Sequence, residues 1–395
     1  MKIGIITMHR VPNYGSFLQT YATQFLINSL GHNCEIIDYE FPNEWQFSRG
    51  TLNNKSRFAQ FKLFIVKVFL FLFKSNCGIR SIAENEKKIK IMKYSKKYYK
   101  LSKRHYKTYN SIRQNPPIYD LYMTGSDQTW NPQHIKGDSN FMLDFVPKGK
   151  KKVSFSASMS CNEVPSDMQY IYKRCLSDYN YISIREKNNI SLIQGLSGKS
   201  DVKVTLDPTL MLNKEEWISS FMYDSLSIEI PDDNYIVFYM LSYSFNPQPY
   251  IYHLLKKLQD KTGCLVLSFT FINKEYNIKY KYIGNSGISD FIKVFSNASH
   301  IVTSSFHGTA FALNFGINLY SVVPHDYKKR DSRQVDLLEM VKADKCIIPI
   351  GMDLERINYT SDPAQKYLIS KRLEDLRKDT YSWLNEALLN TSTVN

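Results

Sequence analysis

The residues with the clearest capacity for chemistry are Ser304-Ser305-Phe306-His307-Gly308, at the end of a predicted strand and the start of a predicted helix. A helix N-terminus offers unpaired N–H groups to an anion, two serines add hydroxyls, and the slim Gly308 permits close approach. His307 is placed to touch that anion and to carry a proton. The alternative interpretation is a serine N-cap beside an incidental histidine.

Two further loops bring cations that suit the same kind of ligand. Arg185 follows another predicted strand and could grip a phosphate or carboxylate through two N–H groups. Lys328 and Arg333 belong to a basic loop that could close over a phosphate. Each has a plainer alternative, a solvated arginine beside Glu186 in the first case and an ordinary surface loop in the second.

Two more loops follow predicted strands, the first with Asn13 and Tyr14 and the other with Ser126, Asp127 and Gln128. Ligands of open α/β sheets bind beyond the carboxyl ends of the strands, so both loops are well placed. Asp127 could act as a base or could cap a helix. We favour an acceptor-binding or structural role for this group over catalysis.

The sequence shows no pattern typical of a metal site, because His307 has no Asp or His partner at ligand spacing. The nucleophile elbow, the P-loop and the dinucleotide fingerprint are also missing from the sequence. We therefore expect no metal and no bound cofactor. The anion-binding features instead indicate a substrate with phosphate or carboxylate groups, and a reaction based on proton transfer.

The elements that must position these residues alternate between strand and helix along the chain of 395 residues, which is 43% hydrophobic and 22% charged. We predict that the first helix begins at Ser16, with Ser16 as its cap. The predicted strands are 2–8, 34–39, 119–124, 152–157, 181–184, 202–205, 235–241, 264–269, 300–303 and 319–323. This composition excludes a disordered, collagenous or disulfide-scaffold chain. We predict an α/β protein with two Rossmann-like domains facing a cleft, at residues 1–212 and 213–361. A C-terminal helix within 362–395 is expected to pack back on the first domain.

The net charge of +14 is concentrated in one segment, since residues 51–107 hold sixteen Lys or Arg and only two acids. The remainder is therefore neutral, which argues against a nucleic-acid-binding surface spread over the fold. Residues 61–73 predict an amphipathic helix with a heavy apolar face. The segment suits docking at an anionic bilayer, and the alternative is a core helix with a solvated basic face.

Taken together, the motifs resemble the polysaccharide pyruvyl transferase family. The resemblance covers roughly residues 1–340 and is least clear around residues 51–95. The motifs that carry it, in chain order, are Lys2-Ile3-Gly4-Ile5, Asn13-Tyr14-Gly15-Ser16-Phe17-Leu18-Gln19, Thr124-Gly125-Ser126-Asp127-Gln128-Thr129-Trp130-Asn131, Ser156-Ala157-Ser158, Ser183-Ile184-Arg185-Glu186-Lys187, Leu206-Asp207-Pro208-Thr209, Thr303-Ser304-Ser305-Phe306-His307-Gly308 and Ser332-Arg333 before Leu337-Leu338.

The resemblance implies a fold like that of the GT-B glycosyltransferases. It also implies transfer from phosphoenolpyruvate to two hydroxyls of a sugar in a bacterial surface glycan or its lipid-linked precursor, giving a pyruvate ketal. His307 matches the family's catalytic histidine. Arg185 and Arg333 would take the donor's carboxylate and phosphate, helped by Ser304, Ser305 and Gly308. Some relatives carry a basic residue where this chain has Phe306, so Arg333 or Lys328 must supply that cation.

Two other functions remain open at this stage. The chain could be a GT-B glycosyltransferase that uses a nucleotide sugar, or a non-catalytic glycan-assembly protein that keeps the fold. The N-terminal stretch is too short and too quickly polar for a secretory signal, so we expect a cytoplasmic protein. A polyprenyl-diphosphate-linked acceptor would make attachment of the basic segment 55–107 to the inner face of the membrane useful.

Overall fold

The computed structural model describes residues 1–41, 76–135, 138–242, 244–329 and 333–390. The amphipathic helix predicted at 61–73 lies outside the described residues, and so does Ser332. Two parallel β-sheets form the centre of the described chain. This confirms the predicted α/β class with two Rossmann-like units.

The first sheet consists of β1 (Lys2–Ile6), β2 (Asn33–Tyr39), β3 (Leu101–Tyr106), β4 (Leu121–Thr124), β5 (Lys151–Ala157), β6 (Tyr181–Ile184) and β7 (Val202–Val204). Its order is β3-β2-β1-β4-β5-β6-β7, with all pairs parallel. The central strands β1, β4 and β5 are buried along nearly their whole length because helices cover both faces of a parallel sheet. The strand order reverses between β1 and β4, which makes that point the expected ligand crevice.

The second sheet consists of β8 (Tyr235–Tyr239), β9 (Leu265–Ser268), β10 (Tyr280–Tyr282), β11 (His300–Thr303), β12 (Asn318–Val323) and β13 (Ile347–Pro349). Its order, β10-β9-β8-β11-β12-β13, repeats the arrangement of the first sheet. All pairs are again parallel. The reversal lies between β8 and β11, so the loops after these two strands border a second crevice.

The described α-helices are α1 (Tyr14–Ser29), α2 (Asn76–Tyr98), α3 (Tyr109–Gln114), α4 (Pro132–Ile135), α5 (Gln169–Leu176), α6 (Ile190–Ser197), α7 (Lys214–Ser220), α8 (Tyr250–Thr262), α9 (Ile288–Ser296), α10 (Phe306–Asn314), α11 (Arg333–Met340) and α12 (Pro363–Leu389). The two that matter most for the site are α1, which follows the first strand of the first sheet, and α10, which follows β11. Both begin at a crevice.

The first helix begins two residues before the predicted start at Ser16. Asn13 is the N-cap, and its side-chain oxygen accepts a hydrogen bond of 2.7 Å from the Ser16 backbone N–H. The predicted cap at Ser16 is therefore wrong. Asn is as good a cap as Ser, and its position directly before the helix leaves the Ser16 hydroxyl available for another partner.

The two sheets are joined by contacts that cross between them. The Tyr14 hydroxyl donates to the carbonyl of Ser286 at 2.9 Å. The C-terminal helix α12 also touches both parts, since Arg377 donates to the carbonyl of Leu210 at 2.6 Å and to Oδ1 of Asn314 at 2.8 Å. These contacts hold the two crevices toward each other.

None of the helices in the described part of the chain is long and apolar enough to cross a membrane.

Candidate active site

A cavity of about 260 Å³ lies where the two crevices meet. The first sheet contributes loops after β1 and β4 together with the start of α1, and the second contributes loops after β8 and β11. Its lining residues are Met8, Val11, Asn13, Gly15, Ser16, Asp127, Gln128, His134, Tyr239, Leu241, His307 and Arg333. Ligand pockets for drug-sized molecules occupy about 300–1,000 Å³, so this cavity suits a smaller ligand.

His307 is the second residue of α10, which Ser305 caps by accepting a hydrogen bond from the Gly308 N–H at 3.4 Å. The residue is 9% exposed and lines the cavity. Its Nε2 has no hydrogen-bond partner among the described residues. A buried nitrogen without a partner is costly, and such atoms are expected where a ligand completes the site.

The start of α1 supports the imidazole of His307 from the opposite half of the molecule. A Cβ atom added to Gly15 would lie 2.1 Å from Nδ1 of His307 and 2.5 Å from its Cγ. Only a residue without a side chain permits so close an approach. Gly15 therefore determines where the imidazole can sit.

Arg185 lies just after β6 and is 4% exposed. Its Nη1 donates to Oδ2 of Asp207 at 2.8 Å, and its Nη2 lies 3.7 Å from Oδ1 of Asp127. Its Nε and Nη2 have no hydrogen-bond acceptor among the described residues. The guanidinium thus stabilises two buried acids and still keeps N–H groups for a ligand, although Arg185 is not itself one of the cavity-lining residues.

The two acids stay ionised in spite of their burial. Burial raises the pKa of Asp127, but the charge of Arg185 and the hydrogen bond from Ser16 help to lower it, and the net result lies below the ordinary range. The same opposition lowers the pKa of Asp207. Asp127 also accepts a hydrogen bond of 2.6 Å from the Ser16 hydroxyl. Asp127 is therefore a carboxylate at neutral pH, able to accept a hydrogen bond from a substrate hydroxyl.

His307 responds in the opposite direction because its charged form is the costly one. Burial lowers the pKa of His307 below its ordinary value of 6.5, and Asp207 and Asp127 only partly offset that effect. Without a ligand the imidazole is therefore neutral at pH 7. A bound anion would raise its pKa and favour the proton-donating form.

Phe306 holds two guanidinium groups. The Cζ of Arg185 lies 4.7 Å from the centre of the Phe306 ring, and the Cζ of Arg333 lies 5.8 Å from it. An aromatic face attracts both cations and so offsets part of their mutual repulsion. The ring therefore lies against both cations, of which Arg333 lines the cavity.

Several predicted site residues do come together around this cavity. The structure brings His307 and Arg333 together with Asn13, Asp127 and Gln128 from the first half of the chain. Most pairs of these residues are more than 100 positions apart in the sequence. They lie close together because the two crevices meet.

Two other residues predicted to bind the substrate use their hydroxyls in hydrogen bonds within the protein. Ser304 donates to the Leu241 carbonyl at 2.7 Å and accepts from its N–H at 2.9 Å. The Ser126 hydroxyl lies 3.0 Å from the Ser156 carbonyl oxygen and 2.9 Å from Oδ2 of Asp207, and its single proton is directed to these two internal acceptors. Their hydroxyls therefore position loops of the site instead of facing a ligand.

Three further predicted residues contribute packing or lie elsewhere. A Cβ on Gly308 would meet Oγ1 of Thr303 at 2.3 Å, so this glycine lets α10 pack on its own strand. Tyr14 is buried, with its ring stacked on Phe291 at 4.7 Å. Lys328 is exposed and is not among the residues that line the cavity.

The sequence alone assigns no place in the site to Asp207, Gly15, Ser16 or His134. Asp207 sits in the Asp-Pro-Thr sequence that ends the pattern of the first sheet, which was a usable signal for a fixed carboxylate. Ser16 and Gly15 open α1 and act through contacts with residues far along the chain. Nothing in the local pattern could reveal those partners.

The arrangement can bind a small anion and transfer a proton to or from it. It offers arginine N–H groups, an imidazole whose charge depends on the ligand, and a carboxylate beside the same cavity. Within the described ranges, no three His, Cys, Asp or Glu side chains are grouped so as to hold a metal ion.

The fold is shared with enzymes of the GT-B type. UDP-GlcNAc 2-epimerase from Neisseria meningitidis, solved with UDP-GlcNAc, is 11% identical and superposes with a TM-score of 0.52 over 99% of this chain and 100% of that one. UGT89C1 from Arabidopsis thaliana, solved with quercetin, is 10% identical and superposes with a TM-score of 0.51 over 99% of each chain. These likenesses confirm the predicted GT-B-like fold.

Comparison of the sequence with known families identifies the family to which this fold belongs here. No curated protein matches the chain by sequence. The model of the family described as polysaccharide pyruvyl transferase matches residues 13–327, which include His307, Arg185 and Asp127. That range covers most of the chain. Of the residues that line the cavity, only Met8, Val11 and Arg333 lie outside it. The chain therefore belongs to the polysaccharide pyruvyl transferase family.

Proposed function

We propose that the protein transfers the enolpyruvyl group of phosphoenolpyruvate to two hydroxyls of one sugar and so forms a pyruvate ketal. The observation that carries the proposal is the pairing of orphaned groups in one site. Among the described residues, Nε2 of His307 and the Nε and Nη2 nitrogens of Arg185 have no hydrogen-bond partner, although Nη2 lies 3.7 Å from Oδ1 of Asp127. A small acid with both phosphate and carboxylate supplies acceptors for all of them.

The size of the cavity supports a small donor. A cavity of about 260 Å³ has room for a small donor such as phosphoenolpyruvate, which is smaller than a drug-sized ligand. Arg333 lines the cavity, and Arg185 lies behind Asp127 at its edge. In this proposal the two arginines take the carboxylate and the phosphate of the donor.

His307 is the proposed general acid. The negative charge of the bound donor raises its pKa, and the imidazolium then gives a proton to the methylene carbon, which becomes a methyl group. One sugar hydroxyl adds to C2 of the resulting oxocarbenium-like centre and forms the first C–O bond. A proton donor positioned in this way contributes roughly 10²–10⁴-fold in rate.

The second hydroxyl of the sugar then attacks C2 and displaces phosphate, which leaves with the bonding electron pair. Of the two hydroxyl protons, one replaces the proton spent by His307 and the other leaves with phosphate, so the enzyme is restored. Asp127, ionised and facing the cavity, accepts a hydrogen bond from one of the attacking hydroxyls.

The decisive experiment combines a binding screen with product analysis. Phosphoenolpyruvate should raise the melting temperature of the protein, with about 2.7 kcal/mol of stabilisation at 100 times its Kd. Acceptor glycans incubated with protein and phosphoenolpyruvate should gain a ketal detectable by mass spectrometry, together with released phosphate. Stabilisation by a nucleotide sugar and none by phosphoenolpyruvate would instead support the glycosyltransferase alternative.

For the basic segment we propose docking at an anionic membrane. Lys88, Lys93 and Lys96 of α2 are exposed, and each lysine near such a surface contributes about 1 kcal/mol. Because α2 and β3 are built into the fold, a triple Lys→Gln variant tests the idea better than deletion of the segment. Liposome flotation should show weaker binding by that variant, and equal flotation of both proteins would contradict the proposal.

A further inference from the structure

The two arginines assigned to the donor come from opposite halves of the molecule. Arg185 follows β6 of the first sheet, whereas Arg333 is the first residue of α11, which follows β12 of the second sheet. Both guanidinium groups lie against the ring of Phe306, at 4.7 and 5.8 Å from its centre. Two like charges repel each other, and the ring offsets only part of that repulsion. The spacing of the two cations therefore depends on the contacts of the elements that carry them.

Those two elements are hydrogen-bonded to each other three residues beyond each arginine. Asn188 donates through Nδ2 to Oδ1 of Asp336 at 2.6 Å, and its backbone N–H faces Oδ2 of the same carboxylate at 3.5 Å. Asp336 lies one turn after Arg333 on α11, and Asn188 belongs to the short 3-10 turn Lys187–Asn189 that follows Arg185. This contact, the Asn188–Asp336 pair, joins the two halves next to the proposed donor site.

The carboxylate of the pair is buried, which makes its hydrogen bonds necessary. Asp336 is 5% exposed. Burial raises the pKa of its carboxyl to about 6, and the charges of Glu186 and Glu339 act in the same direction, whereas the backbone N–H groups of Asn188 and Lys187 oppose them. The group is therefore mostly ionised at neutral pH, and a hydrogen bond to an ionised acceptor is stronger than one between neutral groups. Separation from Asn188 would leave this buried charge poorly satisfied.

Each partner of the pair is attached to its own half of the molecule. In the first half, the buried Glu186 accepts a hydrogen bond from the hydroxyl of Ser158, just beyond β5. In the second half, Nε2 of Gln334 on α11 donates to Oγ of Ser321 on β12 at 3.0 Å. Because both ends are anchored, the Asn188–Asp336 pair fixes the position of one half relative to the other at this point.

We propose that Asn188 and Asp336 are positioning residues that hold Arg185 and Arg333 at the spacing of the two anionic groups of one donor molecule. This inference rests on the proposed function, because it requires a donor with both a carboxylate and a phosphate. A ligand held at two points gains affinity over a ligand held at one point only while the two cations keep the matching distance. Neither Asn188 nor Asp336 is among the described residues that line the cavity, so the pair acts through the arginines.

Calorimetry with a two-anion probe and a one-anion probe tests the proposal. Phosphoenolpyruvate engages both arginines, whereas inorganic phosphate, a product of the proposed reaction, engages one. Asn188→Ala, at an exposed position that tolerates truncation, should weaken phosphoenolpyruvate binding about tenfold and leave phosphate binding within about twofold of wild type. Gln334→Ala is the matched control, because it removes a hydrogen bond of α11 that stays within one half. That variant should change neither affinity.

A reversed pair supplies the second test. Asn188→Asp alone places two carboxylates face to face and should weaken phosphoenolpyruvate binding more than Asn188→Ala does, whereas Asn188→Asp combined with Asp336→Asn exchanges donor and acceptor and should recover most of the loss. Unchanged phosphoenolpyruvate affinity in Asn188→Ala, equal weakening of both probes, or no recovery in the reversed pair overturns the inference and leaves the proposed function standing. A wild-type protein that does not bind phosphoenolpyruvate would instead refute the function.

Discussion

Replacing Gly15 by alanine should impair catalysis although Gly15 has no functional group. The added Cβ would lie 2.1 Å from Nδ1, 2.5 Å from Cγ and 2.6 Å from Cε1 of His307. Ordinary van der Waals contact begins at 3.4 Å. The imidazole and the start of α1 must therefore separate by roughly 1.3 Å, and we expect the side chain to rotate before the helix backbone shifts.

The size of the effect follows from that displacement. A misplacement of about 1 Å in a reacting group can cost about 100-fold in rate. We therefore expect kcat to fall about 100-fold, which corresponds to about 2.7 kcal/mol of transition-state stabilisation. The loss should approach that caused by removing the imidazole, since a general acid contributes about 10²–10⁴-fold.

The assay is the rate of phosphate release from phosphoenolpyruvate in the presence of an accepted sugar. Gly195→Ala is the matched control, because Gly195 lies within α6 and a Cβ there would meet nothing within 4 Å. That variant should keep its full rate. Both variants should melt close to the wild-type temperature. A Gly15→Ala protein that folds and retains the wild-type kcat would refute the idea that Gly15 determines the position of the His307 imidazole.

Three further predictions concern the charged groups of the site. His307→Gln should lower turnover about 10²–10⁴-fold while retaining phosphoenolpyruvate binding by calorimetry, and near-normal turnover would exclude His307 as the acid. Arg185→Ala should weaken donor binding and also destabilise the protein by about 3–5 kcal/mol in denaturant unfolding, because Asp127 and Asp207 lose their buried cation. Arg185→Lys should restore most of the stability. An Arg185→Ala protein of normal stability would contradict this prediction. Because burial keeps the pKa of free His307 below 6.5 and the bound anion raises it, donor binding near pH 7 should take up protons, and affinity should fall as the pH rises through the raised pKa. Calorimetry in buffers of different ionisation enthalpy measures this uptake, which must be smaller in His307→Gln if the interpretation is correct.

Much of the fold could be predicted from sequence because the central strands are apolar runs bounded by helices. The predicted strands at 181–184 and 300–303 match the structure residue for residue. The strands that were missed, β3, β10 and β13, all lie at sheet edges. Edge strands need no continuous apolar run, which explains how β3 can read Leu-Ser-Lys-Arg-His-Tyr and β13 can end on proline.

Only part of the candidate site could be predicted from the sequence, for a different reason. Residues at the carboxyl ends of strands, such as His307 and Asp127, could be located because parallel sheets place their ligands there. The role of a hydroxyl depends instead on its three-dimensional neighbours. Ser304 binds the backbone of Leu241, more than 60 positions away, and no local pattern encodes that choice.

The contact between Gly15 and His307 also bears on how family members can be recombined. The proposed acid is carried by one half of the enzyme, but the surface against which it rests belongs to the other. A chimera that joins residues 1–212 of one enzyme to the remainder of another would place the catalytic histidine of the second enzyme against the start of α1 from the first. The two surfaces would then not be matched to each other. Such a chimera should therefore fold and yet turn over slowly, even though it retains every catalytic side chain.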